Sequence, residues 1–390
     1  MSKLIRMTAY VLAGLSAVPV SIEVDILNRL PNLAIAGVPA HGGREIADRV
    51  RSAIENAGYT FPKGRVVVNL SPQVNQNVQS LDLPIAVAIL AASEQVKGIP
   101  EDVTFFGELS LSGDTRPCRG VIAAYQALSK STHMNGTIVC HPSNANMVAS
   151  IGGIAQPLSS LSVVDLITQF IQSGKIYNVP PAPKNEAPFR TLDDWNHPRK
   201  SEIFNQLIEA ARIKRPVLFI GSPGLGKTML ASRLNSLLDE PSFEQKVHAL
   251  QVADACGLYN YEEIVRVGRP FRAPHHTISL AGINGSNRPG ELALSHNGTL
   301  FLDEIDSFPE TTRDAVKVAL TTRKVTLGAP TGWEIVPTDF WLIMAANPCY
   351  CGFYGHSTRS CVCTEDSRKR HLKFMDSPIL QGALVIDLNT

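Results

Sequence analysis

No part of the chain approaches the roughly 18 uninterrupted apolar residues that a membrane-spanning helix needs, so no membrane partner is expected. Charge of one sign is also missing. Lysine and arginine number 36 against 35 acidic residues, a formal net charge of +1. That balance gives no global field to draw the chain onto nucleic acid, so such binding has to come from local patches or from assembly. Internal repeats and low-complexity tracts are absent, which argues against a solenoid or a disordered tail. What remains is 44% hydrophobic and 18% charged residues in a 390-residue chain. That is a soluble, globular composition, with length for about two or three domains.

Near the start, Lys3 and Arg6 precede a mostly apolar run from Met7 to Val20, which imitates a secretory signal. Pro19 interrupts the run, and Ser21-Ile-Glu-Val-Asp25 continues it with strand alternation, so a folded strand is expected. Residues 1–175 alternate strands and helices. Val18–Ile26, Leu33–Val38, Arg65–Leu70 and Thr137–His141 read as strands. Gly42–Ala57 reads as an amphipathic helix with Ile46, Val50, Ala53 and Ile54 on one face. Leu83–Ala92 is an apolar run that reads as helix or strand, its alanines favouring a buried helix, and Val121–Lys130 reads as a further helix. Residues 176–200 hold the proline-rich stretch Tyr177 to Pro188 and read as a linker. Residues 201–390 form the second expected domain, beginning with a helix over Glu202–Ile213.

The most specific signal follows. Val217–Ile220 is a strand that runs into Gly221-Ser222-Pro223-Gly224-Leu225-Gly226-Lys227-Thr228, and Met229–Leu238 continues as a helix. The glycines let successive N–H groups face a phosphate chain, and the helix offers its positive end to the same group. Lys227 would reach the β- and γ-phosphates of ATP, and the Thr228 hydroxyl would hold Mg²⁺. Gly298 to Glu304 is an apolar strand ending in two acids. Asp303 would hold the Mg²⁺ through water, and Glu304 would polarise the attacking water. Phe340 to Asn347 is a third such strand. Asn347 there reads as a γ-phosphate or water contact, or as a strand-capping amide before Pro348.

These stretches resemble the AAA+ ATPase module of the magnesium-chelatase-like family, nearest to its ComM/YifB competence-protein branch. The carrying residues are the 221–228 loop, Arg269-Pro-Phe-Arg-Ala-Pro-His-His-Thr277, Arg288-Pro-Gly-Glu291, Gly298 to Glu304 and Ala346-Asn-Pro-Cys349. The resemblance implies Walker A, Walker B and sensor-1 roles at the positions argued above. It also implies a ring homo-oligomer, with six subunits as the expectation, and a cytoplasmic ATP-dependent motor on DNA of the helicase or branch-migration kind. Alternatives are a chelatase-type ATPase that remodels a metal-inserting partner, and a nucleotide-gated scaffold with little hydrolysis.

Residues 1–172 resemble the same proteins, whose first domain is related to the Lon protease domain. Asn32 to Val38, Val66 to Pro72, Leu81 to Ala86 and Phe106 to Ser110 carry this likeness. A Lon-type Ser/Lys pair is not found: the nucleophile's place holds Asp82 and the lysine's falls near Ile122. Ser71 and Ser80 are nearby hydroxyls with no evident base. Peptidase activity is therefore not expected. The fold class expected overall is α/β, a Lon-protease-like domain followed by a P-loop AAA+ core with a parallel sheet.

Of seven cysteines, Cys118, Cys140 and Cys256 sit in apolar surroundings and read as small buried hydrophobes. Cys349, Cys351, Cys361 and Cys363 form two close pairs in an insert at 349–363. They suit a tetrahedral Zn²⁺, with His356 as another ligand candidate, or they are unligated thiols, or disulfides if the protein is exported. The pattern with an ATPase fits a reducing, cytoplasmic setting. Arg368-Lys-Arg-His-Leu-Lys373 reads either as a phosphate-backbone contact or as a solvated helix face. His275 and His276, with Arg269 and Arg272, could face a central pore, or the histidines could pack against the sheet. The family's arginine-bearing segment corresponds here to Asp376 to Leu388, which has no arginine. The helical lid with its sensor-2 arginine is not found before Thr390. Weak hydrolysis, or use of another cation such as Arg288 or Arg323, is the resulting expectation.

Overall fold

β-branched and aromatic residues alternate with polar ones along Ile5–Ala13 (β1) and Ser16–Leu27 (β2), and the two strands pair antiparallel across a turn at Gly14. The structure, a computed structural model, describes residues 4–75, 78–131, 136–174, 195, 197–258, 269–286, 288–329, 332–356 and 358–389. The described chain divides into two units. The first holds 1–183 with 253–262 and 329–332, and the second holds 184–252, 263–328 and 333–390. The proline-rich stretch Tyr177 to Pro188 lies outside the described residues.

In the first unit β2 also pairs with Arg65–Ser71 (β4), which takes Asn32–Ala36 (β3) in parallel on its other edge. Ala40–Asn56 (α1) turns Ile46, Val50, Ala53 and Ile54 inward, the face its periodicity assigns. Asp82–Ala92 (α2) is apolar all round from Leu83 to Leu90 and is buried all round, as such a helix must be. A second, parallel sheet consists of Val103–Phe106 (β5), Thr137–Cys140 (β8) and Ala155–Pro157 (β9). Glu108–Leu109 (β6) and Thr115–Arg116 (β7) form a small hairpin. Val121–Ser131 (α3), Pro142–Ser150 (α4) and Val164–Gln172 (α5) complete the unit.

The second unit is built on one parallel sheet in the order β11-β12-β15-β10-β16. Its strands are Val217–Ile220 (β10), Phe271–Arg272 (β11), Thr299–Leu302 (β12), Trp341–Ala346 (β15) and Leu384–Asp387 (β16). Alternate residues of the central strands feed two separate cores. Val217, Phe219, Phe301, Trp341, Ile343 and Ala345 join one; Leu218, Leu300, Leu302, Leu342, Met344 and Ala346 join the other. A sheet buried on both faces has no polar alternation, and these strands read as continuous apolar runs. Its helices are Lys200–Arg212 (α6), Lys227–Leu234 (α7), Leu280–Asn284 (α9), Glu291–Leu294 (α10), Glu310–Thr322 (α11) and Glu365–Leu372 (α12), while Phe243–Cys256 (α8) belongs to this unit over 243–252 and to the first over 253–256. Lys324–Ala329 (β13) pairs with Gly332–Pro337 (β14) as a separate ribbon. Among the described residues, no helix is long and apolar enough to cross a membrane.

Several expectations need adjusting. The helix after the glycine loop ends at Leu234 and passes into a 3-10 turn at Asn235–Leu237, short of Leu238. The strand expected over 33–38 stops at Ala36; Gly37 beyond it takes φ +87°, and a Cβ there would collide with the Leu70 carbonyl. Cys118 and Cys140 are buried, but Cys256 is only half-buried. Asp82 begins α2 and Ile122 is the second residue of α3, and both are fully buried. Ser80 gives its hydroxyl hydrogen to the Tyr10 carbonyl at 3.4 Å.

Asp82 is the one charged side chain inside the first core cluster's helix, and Arg49 of α1 meets it with two bonds of 2.6 and 3.0 Å. Burial pushes the Asp82 carboxyl up to about 6, with Arg49 and the Leu109 N–H holding it down and the nearby Glu108 adding to the rise. Removing the cation leaves the carboxylate uncompensated, a loss of about 3 kcal/mol. Arg49→Ala should therefore unfold at lower urea than the parent. Its deficit should also grow as pH rises. Burial already holds the parent's Asp82 at about 6, so parent and variant alike lose stability from about pH 4 upward; without Arg49 the folded value is higher still, and the deficit widens above about pH 6, where only the folded variant keeps a proton that the unfolded chain has released. Urea titrations from pH 4 to 8 check both; a pH-independent deficit counts against the ion-pair account.

Candidate nucleotide site

Parallel strands place their carboxyl ends along one edge of the sheet, where ligands of such folds lie. Here β10, β12 and β15 end together. Ile220 is level with Ala346 and Leu302 with Met344, so Gly221, Asp303 and Asn347 emerge side by side. The loop after β10 depends on glycine at two points. Gly224 and Gly226 take φ +90° and +80°, in the left-handed region, and Gly226 caps α7. α7 thus begins at Lys227 with its positive end toward the loop.

The polar ends of the three strands are cross-linked. Lys227 Nζ donates to Asn347 Oδ1 at 3.0 Å, and to the Gly221 and Ser222 carbonyls at 2.5 and 3.3 Å. Thr228 Oγ1 donates to Asp303 Oδ2 at 2.7 Å, while Asp303 Oδ1 accepts from the Glu304 N–H at 3.0 Å. Burial draws the Lys227 ammonium below the usual lysine range, and Asp303, Glu304 and Asp306 oppose that shift. The residues singled out in sequence as Lys227, Thr228, Asp303 and Asn347 are thus in contact. Ser222 is buried and Pro223, Gly224 and Leu225 form the loop's crest. The arrangement offers backbone amides, one ammonium and one helix end to a polyphosphate. A hydroxyl and a carboxylate, both hard oxygen donors, could hold Mg²⁺ beside it.

Glu304 stands apart from this cluster. Its φ is +54°, and its carboxylate Oε2 lies 3.7 Å from His276 Nδ1. His276 rests at 4.1 Å, ring centre to ring centre, against His275. Beside Glu304 opens a cleft of about 740 Å³ whose walls include Asp306, Arg313, Asn347, His371 and Lys373. His371, within the basic run, is buried; its Nε2 donates to the Asn347 carbonyl at 2.9 Å and its Nδ1 is 3.7 Å from Asp306. Of the rest of that run, Lys369 and Arg370 are exposed on α12, Lys373 is exposed just past it, and Arg368 is half-buried; Lys369 pairs with Glu365 and Arg368 stacks at 4.6 Å on Tyr354.

The two arginines grouped with the histidines do not join them. Arg269 is buried and donates to the Asp239 and Asn297 carbonyls at 2.5 and 2.6 Å, tying down the chain ahead of β12. Arg272 makes a two-bonded ion pair with Glu291, both at 2.7 Å, which links the Arg-Pro-Phe-Arg stretch to the Arg-Pro-Gly-Glu stretch. Arg323 lies 3.9 Å from Asp339.

Cys349, Cys351, Cys361 and Cys363 converge so that all four sulfurs lie within 4.8 Å of one another. The closest approaches are 3.3 Å for Cys349–Cys351 and 3.6 Å for Cys361 with each of them. Four thiolates at about 2.3 Å from a central ion would stand somewhat under ~4 Å apart, so the donor set fits a tetrahedral soft or borderline cation. The backbone N–H groups of Phe353 and Val362 draw the Cys351 thiol down to about 6, while burial raises Cys349. His356 instead accepts from the Thr358 and Arg359 N–H groups through Nδ1.

One supporting residue had no signal in sequence. Asn389, just past β16, accepts from both the N–H and the hydroxyl of Ser222 at 3.1 and 2.9 Å.

Comparison with known proteins gives the following. The family profile described as magnesium chelatase, subunit ChlI, matches residues 202–389, and a second, subunit ChlI of Mg-chelatase, matches 22–143. The uncharacterized protein YifB of Salmonella typhimurium is 35% identical over 376 residues, covering 94% of this chain and 72% of its own. YifB of Escherichia coli is 34% identical, with the same coverage. Competence protein ComM of Haemophilus influenzae is 32% identical over 358 residues, covering 87% of this chain and 68% of its own.

Truncating Asn389 to alanine strips two donors of a buried serine of their acceptor. Asn389→Ala should lower unfolding free energy by about 1–3 kcal/mol. Chemical denaturation reads this directly, and a change below a few tenths of a kcal/mol would mean water replaces the amide at no cost.

Proposed function

The chain belongs to the magnesium-chelatase-like family that includes YifB and ComM, and from that membership and the strand-end cluster we propose that it is a Mg²⁺-dependent ATPase. The observation that carries the reading is the pair of cross-strand bonds, Lys227 to Asn347 and Thr228 to Asp303. In this reading residues 221–228 cradle the phosphates, and Lys227 contacts the β- and γ-phosphates. Thr228 holds Mg²⁺ directly and Asp303 holds it through water. The ion, when bound, neutralises charge on the phosphate oxygens. Glu304 orients the attacking water and Asn347 contacts the γ-phosphate. The four-cysteine cluster holds a structural Zn²⁺.

The finer reading is a ring-forming motor, six subunits to the ring, that acts on DNA. Its support is the likeness to a protein named for competence and the exposed basic face of α12. The first unit is then a Lon-protease-like scaffold over residues 1–175, joined by a linker at 176–200 to the ATPase core. An Asp82 locked to Arg49 and a buried Ile122 support a scaffold role over a peptidase one. The chelatase name of both matching profiles favours a second reading, an ATPase that remodels a metal-inserting partner protein.

Steady-state ATP turnover with and without forked DNA tests these together. We expect DNA-stimulated turnover. Lys227→Ala should lose it through weakened ATP binding. Glu304→Gln should keep binding and lose about 10² or more in rate, the usual weight of a general base. Turnover that ignores DNA but rises with a protein partner selects the chelatase reading. ATP binding with turnover no higher than in the two variants leaves a nucleotide-gated scaffold.

A further inference from the structure

The cysteine cluster and the glycine loop are separate in sequence but touch in space. Asn347 directly follows β15, and Cys349 comes two residues later and is fully buried. Cys349 to Gly352 is a tight turn, closed by the Gly352 N–H donating to the Cys349 carbonyl at 2.9 Å. Gly352 takes φ +82°, and a methyl group on its Cα would sit 2.8 Å from Pro223 Cδ and 3.0 Å from Cγ. The turn therefore abuts the crest of the 221–228 loop with no room for a side chain. Cys361 and Cys363 come from the far side of the insert. They meet the turn through sulfur, with the Cys351 N–H donating to Cys363 Sγ at 3.4 Å.

Pro223 has the turn behind it, and Lys227 has Asn347 beside it. Both restraints come from the stretch 347–352. That stretch contributes two of the four sulfurs. An ion binding all four would fix it to the far half of the insert, at a cost in freedom met by the metal–thiolate bonds.

We propose that the four cysteines form a metal clamp on the phosphate-binding loop: Zn²⁺ held by Cys349, Cys351, Cys361 and Cys363 pins the Cys349–Gly352 turn against Pro223, so that metal occupancy and nucleotide affinity are coupled. The proposal rests on the nucleotide reading of residues 221–228. The free energy that ordering the turn would cost the nucleotide is supplied in advance by the metal. By linkage, nucleotide then raises the affinity for Zn²⁺ by the same factor.

The test uses the full chain under a non-chelating reductant, with Mg²⁺ kept constant. Zinc content is measured by plasma mass spectrometry, and binding of a fluorescent ATP analogue is titrated before and after removal of zinc with a zinc-selective chelator. We expect about one zinc per chain. Its removal should weaken the analogue by about five-fold or more, within the usual span of coupling between sites, and re-addition of Zn²⁺ should restore it. Gly352→Ala provides a variant that keeps all four sulfurs. It should retain zinc and lose analogue affinity. Gly382→Ala imposes the same left-handed strain, at φ +79° in open space, and should leave affinity unchanged.

The failures are distinct. A chain that takes up no zinc overturns both the metal site and the clamp, and leaves nucleotide binding standing. Zinc uptake with equal affinity in loaded and stripped protein, or a Gly352→Ala variant with parent affinity, overturns the clamp alone. Loaded protein that does not bind the analogue overturns the nucleotide reading and the clamp with it.

Discussion

The bond from the Lys227 ammonium to the Asn347 amide is the constraint on which the second unit's polar edge depends. It joins the first residue of α7, which follows the glycine loop, to the residue just past β15. An ammonium drawn down by burial is costly to hold unless its hydrogens are taken. Here one side-chain oxygen and two carbonyls of the loop take them. The loop is thereby folded around its own lysine. Its shape is held from outside at two further points, by Asn389 on Ser222 and by Gly352 against Pro223. A loop with three glycines among the eight residues 221–228 has little side-chain packing of its own, so its order has to be imported from neighbouring elements.

What sequence made legible were features written locally. The three polar strand ends each follow an apolar run of strand length, and a parallel sheet buried on both faces leaves just such runs. That is why sequence alone places Gly221, Asp303 and Asn347 together. α1 and α2 were legible for the same reason, one by a striped face and the other by having no polar face. Non-local features were not legible. β16 pairs in parallel with β10 from far along the chain, and Asn389 acts only because that pairing carries it to Ser222. In sequence the Asp376 to Leu388 stretch is marked only by its lack of arginine, although it supplies an edge strand of the sheet.

Arg269 and Arg272 show the other limit. Charged residues beside histidines suggest a surface feature when only their order is known. Arg269 is instead inside, and its partners are main-chain carbonyls of Asp239 and Asn297, which every residue possesses and no sequence advertises. Arg272 has a side-chain partner, Glu291, but only the fold brings the two motifs together. The apolar run near the start is a milder case. Met7 to Val20 resembles an export signal because the inner halves of β1 and β2 are read in one line, with the turn at Gly14 between them unseen.

Two adjacent carboxylates on an extended strand would project to opposite faces, and one of them would enter an apolar layer of the core. The chain leaves strand geometry at this point. Glu304 adopts φ +54°, a conformation that costs a side-chain-bearing residue on the order of 1 kcal/mol, and Ile305 turns into the core behind it. The Asp303 carboxylate steadies the turn by accepting the Glu304 N–H. The outcome is that the two acids part. Asp303 meets Thr228 on the loop side, and Glu304 reaches toward His276 and the open cleft. A strained residue with an exposed carboxylate is hard to account for by stability alone, since glycine would relieve the backbone at no loss of packing. The strain makes sense if the separation of the two charges is what the fold is built to maintain. Loop-side and cleft-side carboxylates then serve different partners across the same few ångströms.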